Sequence, residues 1–290
     1  MTLLQSPHWP FLIDVYFFLG GLAGGAFVIA TVANLLDHRR FRDVARVGYY
    51  LAVAALIPCP IILIVDLGVP VRFMNMLRTF NPTSPMSMGA WALLGFSACA
   101  FLAALMTLLE DTGKTGNLAG PKIVAGVIGG FFGFFLAAYP GVLLGATARP
   151  LWIEGHTLGA LFLAVGASSG AAAMALLLML TGRRAADGVA TLRTMLVLAL
   201  LIQLLSVVAF VASVQMSGSA AAARALTSLT SGQFSRTFWI GAIAVGSVLP
   251  LVIGLVDFKR RSLGLTALAS VLVLIGGFLV KYVIMAAGQV

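Results

Sequence analysis

Six polar side chains, His8, Asp14, Asp66, Tyr139, Arg149 and His156, stand in or beside long apolar stretches of the chain. Their types suit proton exchange with a small oxygen-bearing ligand. A carboxylate takes up and releases protons, a phenol or imidazole hydrogen-bonds a carbonyl oxygen, and a guanidinium keeps a nearby carboxylate charged. Asp14 and Asp66 are the candidate proton-transfer groups, and His8, Tyr139, Arg149 and His156 the candidate ligand-binding groups.

Other chemistries find little support. A haem b ordinarily takes two axial histidines well inside a bundle, whereas His8 and His156 fall near one side and His38 in a loop on the other, so no bound haem is expected. Cys59 and Cys99 lie in apolar stretches with no Cys-x-x-Cys partner, so neither an iron–sulfur cluster nor a structural disulfide is expected. No phosphate-binding loop, dinucleotide fingerprint or hydrolase motif occurs, which leaves nucleotide-driven transport, nicotinamide binding and hydrolysis unsupported.

The elements that must hold these residues are membrane-spanning. Of 290 residues 61% are hydrophobic and 9% charged, with a mean hydropathy of +1.07, where soluble domains carry about 25% charged residues. Apolar runs at 11–36, 44–66, 86–109, 123–148, 157–180, 189–215, 237–256 and 263–286 are each long enough to cross a hydrocarbon core of about 30 Å as a helix. They are longer than barrel strands and apolar on all sides, so the fold class expected is an all-α, polytopic bundle of eight spans, one domain over 1–290. The first eight residues hold no Lys or Arg and no Ala-x-Ala site follows a short apolar core, so the first stretch is expected to stay as a helix and not to be a signal peptide.

Twelve of the 18 basic residues fall in the connections after spans one, three, five and seven, and six on the opposite side, counting Arg149 and Lys281 there. That bias places both termini on the periplasmic side of a bacterial inner membrane. The net charge of +9 is spread singly or in short runs, which reads as topology and argues against nucleic acid as a partner. Among the outer connections, Val69 to Phe80 interleaves apolar residues with Arg72, Asn75 and Arg78 and predicts a short interfacial helix. Gly218 to Ser235 is open to either a second surface helix or a loop. Gly20, Gly21, Gly24 and Gly25, with Gly126 and Gly130, predict close helix contacts that Phe131, Phe132, Phe134 and Phe135 could fill.

On this topology His8, Asp14, Asp66, Tyr139, Arg149, His156 and Lys281 reach one depth near the outer face, a pattern suited to a polar pocket at the membrane boundary. A plainer role is open to several: Trp9, Tyr139 and Trp152 as interfacial anchors, Arg149 and Lys281 extending to lipid headgroups, and the aspartates pairing with Arg72, Arg149 or Lys281. Asn34, Gln203, Gln215 and serines such as Ser168, Ser169 and Ser206 read as helix-to-helix hydrogen bonds in preference to a conduction path.

The segments HWPFLIDVYFFLGGLAGGAF (8–27), DLGVPVRFMNMLRTFNPTSPMSMGAW (66–91), YPGVLLGATARPLW (139–152) and GGFLVKYVIMAAGQ (276–289) resemble the NrfD/PsrC family, the membrane subunits of polysulfide-reductase-like respiratory complexes. The resemblance extends over almost the whole chain. It implies a quinone or quinol site, for menaquinone or ubiquinone, close to the outer face and beside a periplasmic ferredoxin-like iron–sulfur subunit, with a molybdopterin catalytic subunit or a multihaem cytochrome beyond it. Carried over by position, the site residues are His8, Tyr139 and Asp66; Asp14 departs from the pattern and fits a proton route. The chain is then the quinone-reactive subunit of an oxidoreductase and not its terminal catalyst. Two alternatives stand beside this: a membrane anchor without quinone chemistry, and a proton-translocating subunit motivated by Asp14, Asn34, Glu110 and Asp111.

Overall fold

The structure is a computed structural model that describes residues 9–113, 118–181 and 186–290. In hydrocarbon each main-chain polar group needs an internal partner, and the chain meets this with helices: α1 (Phe11–Leu36), α2 (Arg42–Leu56), α3 (Pro58–Asp66), α4 (Phe73–Arg78), α5 (Pro85–Asp111), α6 (Ala119–Gly145), α7 (Pro150–Ile153), α8 (Leu158–Leu180), α9 (Ala186–Met216), α10 (Ala220–Thr230), a π-helical segment Thr237–Val248 running into α11 (Leu249–Arg260), and α12 (Leu263–Gly288). Among the described residues eight spans are long and apolar enough to cross a membrane, with Arg42–Asp66 and Thr237–Arg260 each built from two consecutive pieces. This is a multi-pass, all-α protein of the inner membrane.

Local chemistry sets the boundaries. Pro58 has no main-chain N–H to offer, and the second span breaks there into α2 and α3. Gly68, at φ +66°, turns the chain out of α3. Ser84 caps α5, its hydroxyl accepting from the Ser87 N–H at 3.4 Å, with Pro85 in the first turn. The interfacial segment forms as predicted, a 3₁₀ turn at Pro70–Arg72 followed by α4, and the open connection resolves as helix α10, capped by Ser219.

The most buried spans are α1 and α8. Helix α1 packs against α2, α3, α6, α8 and α12, while α8 packs against α1, α6, α9 and α12, so the two join the halves of the bundle. The contacts of α1 with α8 and with α6 depend on missing side chains. A Cβ on Gly25 would overlap the Gly166 carbonyl, and one on Gly24 that of Gly133. Gly130 differs from the expectation, facing open space, and Phe131 and Phe134 are 71% and 54% exposed. These rings face hydrocarbon, which accepts apolar groups without penalty, and do not fill gaps between helices.

At the end away from the termini, charges meet in pairs. Asp111 lies 2.6 Å from Arg46 and accepts from the Tyr50 hydroxyl at 2.9 Å. Glu110 holds the buried Lys122 ammonium, and Arg193 lies 2.7 Å from Asp257. In the loop after α1, the main-chain N–H groups of Arg40 and Arg39 hold Asp37 below the usual carboxylate range.

Candidate functional site

A cavity of about 310 Å³ opens at the termini-bearing end, between α1, α3, α4, α5 and α6. Helical periodicity explains who lines it. Ile13, Tyr16 and Phe17 form one face of α1; Leu63, Asp66 and Leu67 one face of α3; Gly89, Leu93 and Ser97 recur every fourth residue of α5; and Tyr139 and Leu143 lie one turn apart on α6. Met76 and Leu77 of α4 close one side. Met86 and Leu94, 51% and 44% exposed, belong to the same wall, so that wall reaches the outer surface of the bundle.

Its polar groups are few. Asp66, Tyr139, Tyr16, Ser97 and Trp9 share an otherwise hydrophobic lining. The Asp66 side is exposed at the helix end, while Tyr139 is 5% exposed and its ring stacks on Phe135 at 6.0 Å. Room for that ring comes from Gly89, where any side chain would collide with it. Trp9 is held by its main-chain N–H, which donates to Gln289 Oε1 at 2.7 Å, while its buried indole Nε1 has no hydrogen-bond partner. A buried donor without a partner costs about 1–3 kcal/mol, and this one belongs to a residue of the cavity wall.

The sequence-predicted residues divide. Asp66 and Tyr139 line the same cavity. Asp14 belongs to the same turns of α1 but is not among the lining residues; it is 4% exposed and its Oδ1 has no hydrogen-bond partner. Its spacing to Phe18 and Gly21 puts it on the α12 side of α1, where Phe18 meets Phe278 and Gly21 faces Lys281. Arg149 sits before α7, its Nη1 donating to the Gln289 carbonyl at 3.1 Å, which ties α7 to the end of α12 outside the cavity wall. His156 is exposed beyond α7 and away from the lining. His8 lies outside the described residues.

Lys281 corrects a sequence expectation. It does not extend to headgroups but is fully buried, its ammonium donating to the Phe17 carbonyl at 2.7 Å and lying 5.1 Å from the centre of the Phe162 ring. The physical reason is its placement two turns inside α12 on the face toward α1, from which water is out of reach. Trp152, read as an anchor, is fully buried too, its indole donating to the Ile284 carbonyl at 3.0 Å. Trp9, Tyr16 and Gly89 were not singled out as site residues; the spacing of Tyr16 from Ile13 was the available signal. Among the described residues no group of three or more His, Cys, Asp or Glu could hold a metal ion.

Comparison with known proteins bears on what such a bundle is. The profile of the family described as "Polysulphide reductase, NrfD" matches residues 3–290. A polysulfide reductase subunit of Wolinella succinogenes is 27% identical, the match covering 97% of the present sequence and 94% of the relative. The NrfD homolog of Haemophilus influenzae is 25% identical over the same shares of both sequences. A shorter match, 26% identical over 37% of the present sequence and 27% of the other, is to the integral membrane subunit of an Hdr-like menaquinol oxidoreductase of Archaeoglobus fulgidus. A profile match along nearly the whole length, on an eight-span helical bundle, identifies the protein as a polytopic redox-complex subunit that belongs to the NrfD polysulphide reductase family.

Proposed function

We propose that the protein exchanges electrons between the membrane quinone pool, menaquinone or ubiquinone, and an iron–sulfur subunit docked at the termini-bearing end, which we place on the periplasmic side. The observation that carries this reading is the cavity between α1, α3, α5 and α6: reaching the outer surface of the bundle, largely apolar, and furnished with Asp66, Tyr139 and Trp9. The names of the relatives, a polysulfide reductase subunit and a menaquinol oxidoreductase subunit, support it.

The residues present fit a quinone headgroup. Two opposed oxygens call for two donors, which the Tyr139 hydroxyl and the unpartnered Trp9 indole supply, and aromatic and aliphatic walls suit a flat ring. A bound quinone would supply reversible two-electron, two-proton chemistry. Asp66, exposed at the end of α3, is placed to pass protons between the cavity and the aqueous side. Electrons must pass to an external carrier, a ferredoxin-like iron–sulfur protein backed by a molybdopterin subunit or a multihaem cytochrome.

The test is titration of the purified complex with a quinone analogue, beside quinone-linked turnover of Asp66→Asn. One saturable site and turnover lowered by about 100-fold in normally assembled complex are expected. An intact complex that binds no analogue would reject the reading and leave a membrane-anchoring role.

A further inference from the structure

Of the elements that wall the cavity, α4 is held least. Phe73, Met76 and Leu77 recur at helical spacing along one side of it and all three line the cavity, half-buried, while Arg72, Asn75 and Arg78 are exposed. None of its residues is buried, and the span it packs against is α5. Its two attachments are unequal. Beyond its C-terminal end the Asn81 N–H donates to Ser87 Oγ at 3.0 Å, that hydroxyl donates to the Thr79 carbonyl at 3.4 Å, and the Phe80 ring meets Trp91 edge-on at 5.9 Å, which tethers the helix to α5. Before the helix, the chain leaves α3 through Gly68, whose left-handed backbone at φ +66° has nothing within 4 Å of where a side chain would begin.

The second half of the bundle carries a helix in the corresponding connection, between its second and third spans, and holds it differently. There α10 packs against α7, α9, α12 and the π-helical segment. It buries Ala222, Leu226 and Leu229, and its last residue is held by the Trp239 indole, which donates to the Thr230 carbonyl at 2.8 Å. That end of the second half is filled, with Trp152, Phe210 and Phe238 at most 1% exposed. In the first half the apolar side of α4 faces a cavity of about 310 Å³ in place of a packed core. So short a helix is marginal by itself and depends on what its apolar side meets. Side chains left half-exposed are stabilised by any apolar surface that covers them, and a flat ring in the cavity offers one.

We propose that α4 is a lid on this cavity, which closes on a bound quinone headgroup by tilting about Gly68 while its tether to α5 holds. The inference rests on the quinone reading of the cavity and adds the regulation of that site. Phe73, Met76 and Leu77 grip the ring, and their burial against it favours the closed position over the one in which they are half-exposed. Asp66 lies two residues before the turning point, on α3 and not on the lid. Closure therefore keeps water from the headgroup and leaves the carboxylate in place to pass its protons.

The whole chain, purified in lipid nanodiscs, is labelled with nitroxides at Asn75→Cys on α4 and Arg224→Cys on α10, both exposed positions, with Cys59→Ala and Cys99→Ala removing the native thiols. Pulsed electron–electron resonance then reads the distance between the labels. Adding a short-tailed naphthoquinone or benzoquinone should shift that distance by several ångström, whereas a fixed wall gives no shift. Hydrogen exchange on the unsubstituted chain is measured in parallel, so the outcome does not hang on the labelled variant folding. Amides of Phe73–Arg78 should exchange about tenfold more slowly with the quinone bound, and those of Ala220–Thr230 equally with and without it. Saturable quinone binding that leaves either the label distance or the α4 exchange unchanged overturns the lid and leaves the cavity reading standing. Quinone that does not bind the folded chain removes the cavity reading and the lid together.

Discussion

The phenol of Tyr139 fills the space that a side chain at position 89 would need: a Cβ on Gly89 would lie 2.5 Å from Tyr139 Oη and nearer still to the ring. Helices α5 and α6 are thus fitted to each other at the cavity wall through one missing methyl group. Gly89→Ala should push the ring aside without opening the bundle, because the three atoms nearest to the added methyl group all belong to the Tyr139 side chain. Quinone-analogue affinity should fall about tenfold, the scale of a modest overpacking cost. Gly130→Ala on α6, where nothing lies within 4 Å, is the matched control and should bind as wild type. Equal affinity for both variants would remove Tyr139 from the binding site.

Trp9 offers a finer probe. Trp9 lines the cavity, its buried indole N–H has no protein partner, and its main chain is fixed by Gln289. Trp9→Phe keeps an aromatic ring beside Phe17 and deletes the donor alone. One neutral hydrogen bond is worth about 1 kcal/mol, so the analogue should bind about fivefold more weakly. An unchanged dissociation constant, with assembly intact, would show that the indole meets no ligand oxygen.

The spans were legible because hydrocarbon permits few solutions: a run of about twenty apolar residues has to be a helix, and the eight runs became eight spans within a few residues. The interfacial helix after α3 was legible for the same reason, from Arg and Asn at regular intervals among apolar residues. Which side of each helix faces a cavity was not. Asp14 and Tyr16 lie two residues apart, yet only Tyr16 lines the cavity, and nothing in an all-apolar helix distinguishes its faces. Lys281 shows the same limit. A lysine this close to the end of a span can reach water if it faces lipid and cannot if it faces α1, and the choice is made by the packing of α12 against α1 and α8.

The buried pair of Arg193 and Asp257 gives the sharpest stability prediction. The Asp257 side chain is 1% exposed and that of Arg193 7%. The same carboxylate accepts from the Ser262 N–H at 2.6 Å and from the Thr266 hydroxyl, so it ties the α11–α12 turn as well as the ion pair. Asp257→Ala leaves a buried guanidinium without its counter-charge and should cost about 3–5 kcal/mol in a reversible unfolding measurement in detergent. The Arg40–Asp187 pair, whose side chains are 58% and 61% exposed, spans a similar distance, but Asp187→Ala should cost less than about 1 kcal/mol because water screens it. Replacing both partners, Asp257→Leu with Arg193→Met, should recover part of the loss, since no unpaired charge then remains. A double variant no more stable than Asp257→Ala would mean that the unpaired guanidinium accounts for little of the loss, and that the hydrogen bonds to Ser262 and Thr266, absent from both variants, account for most of it.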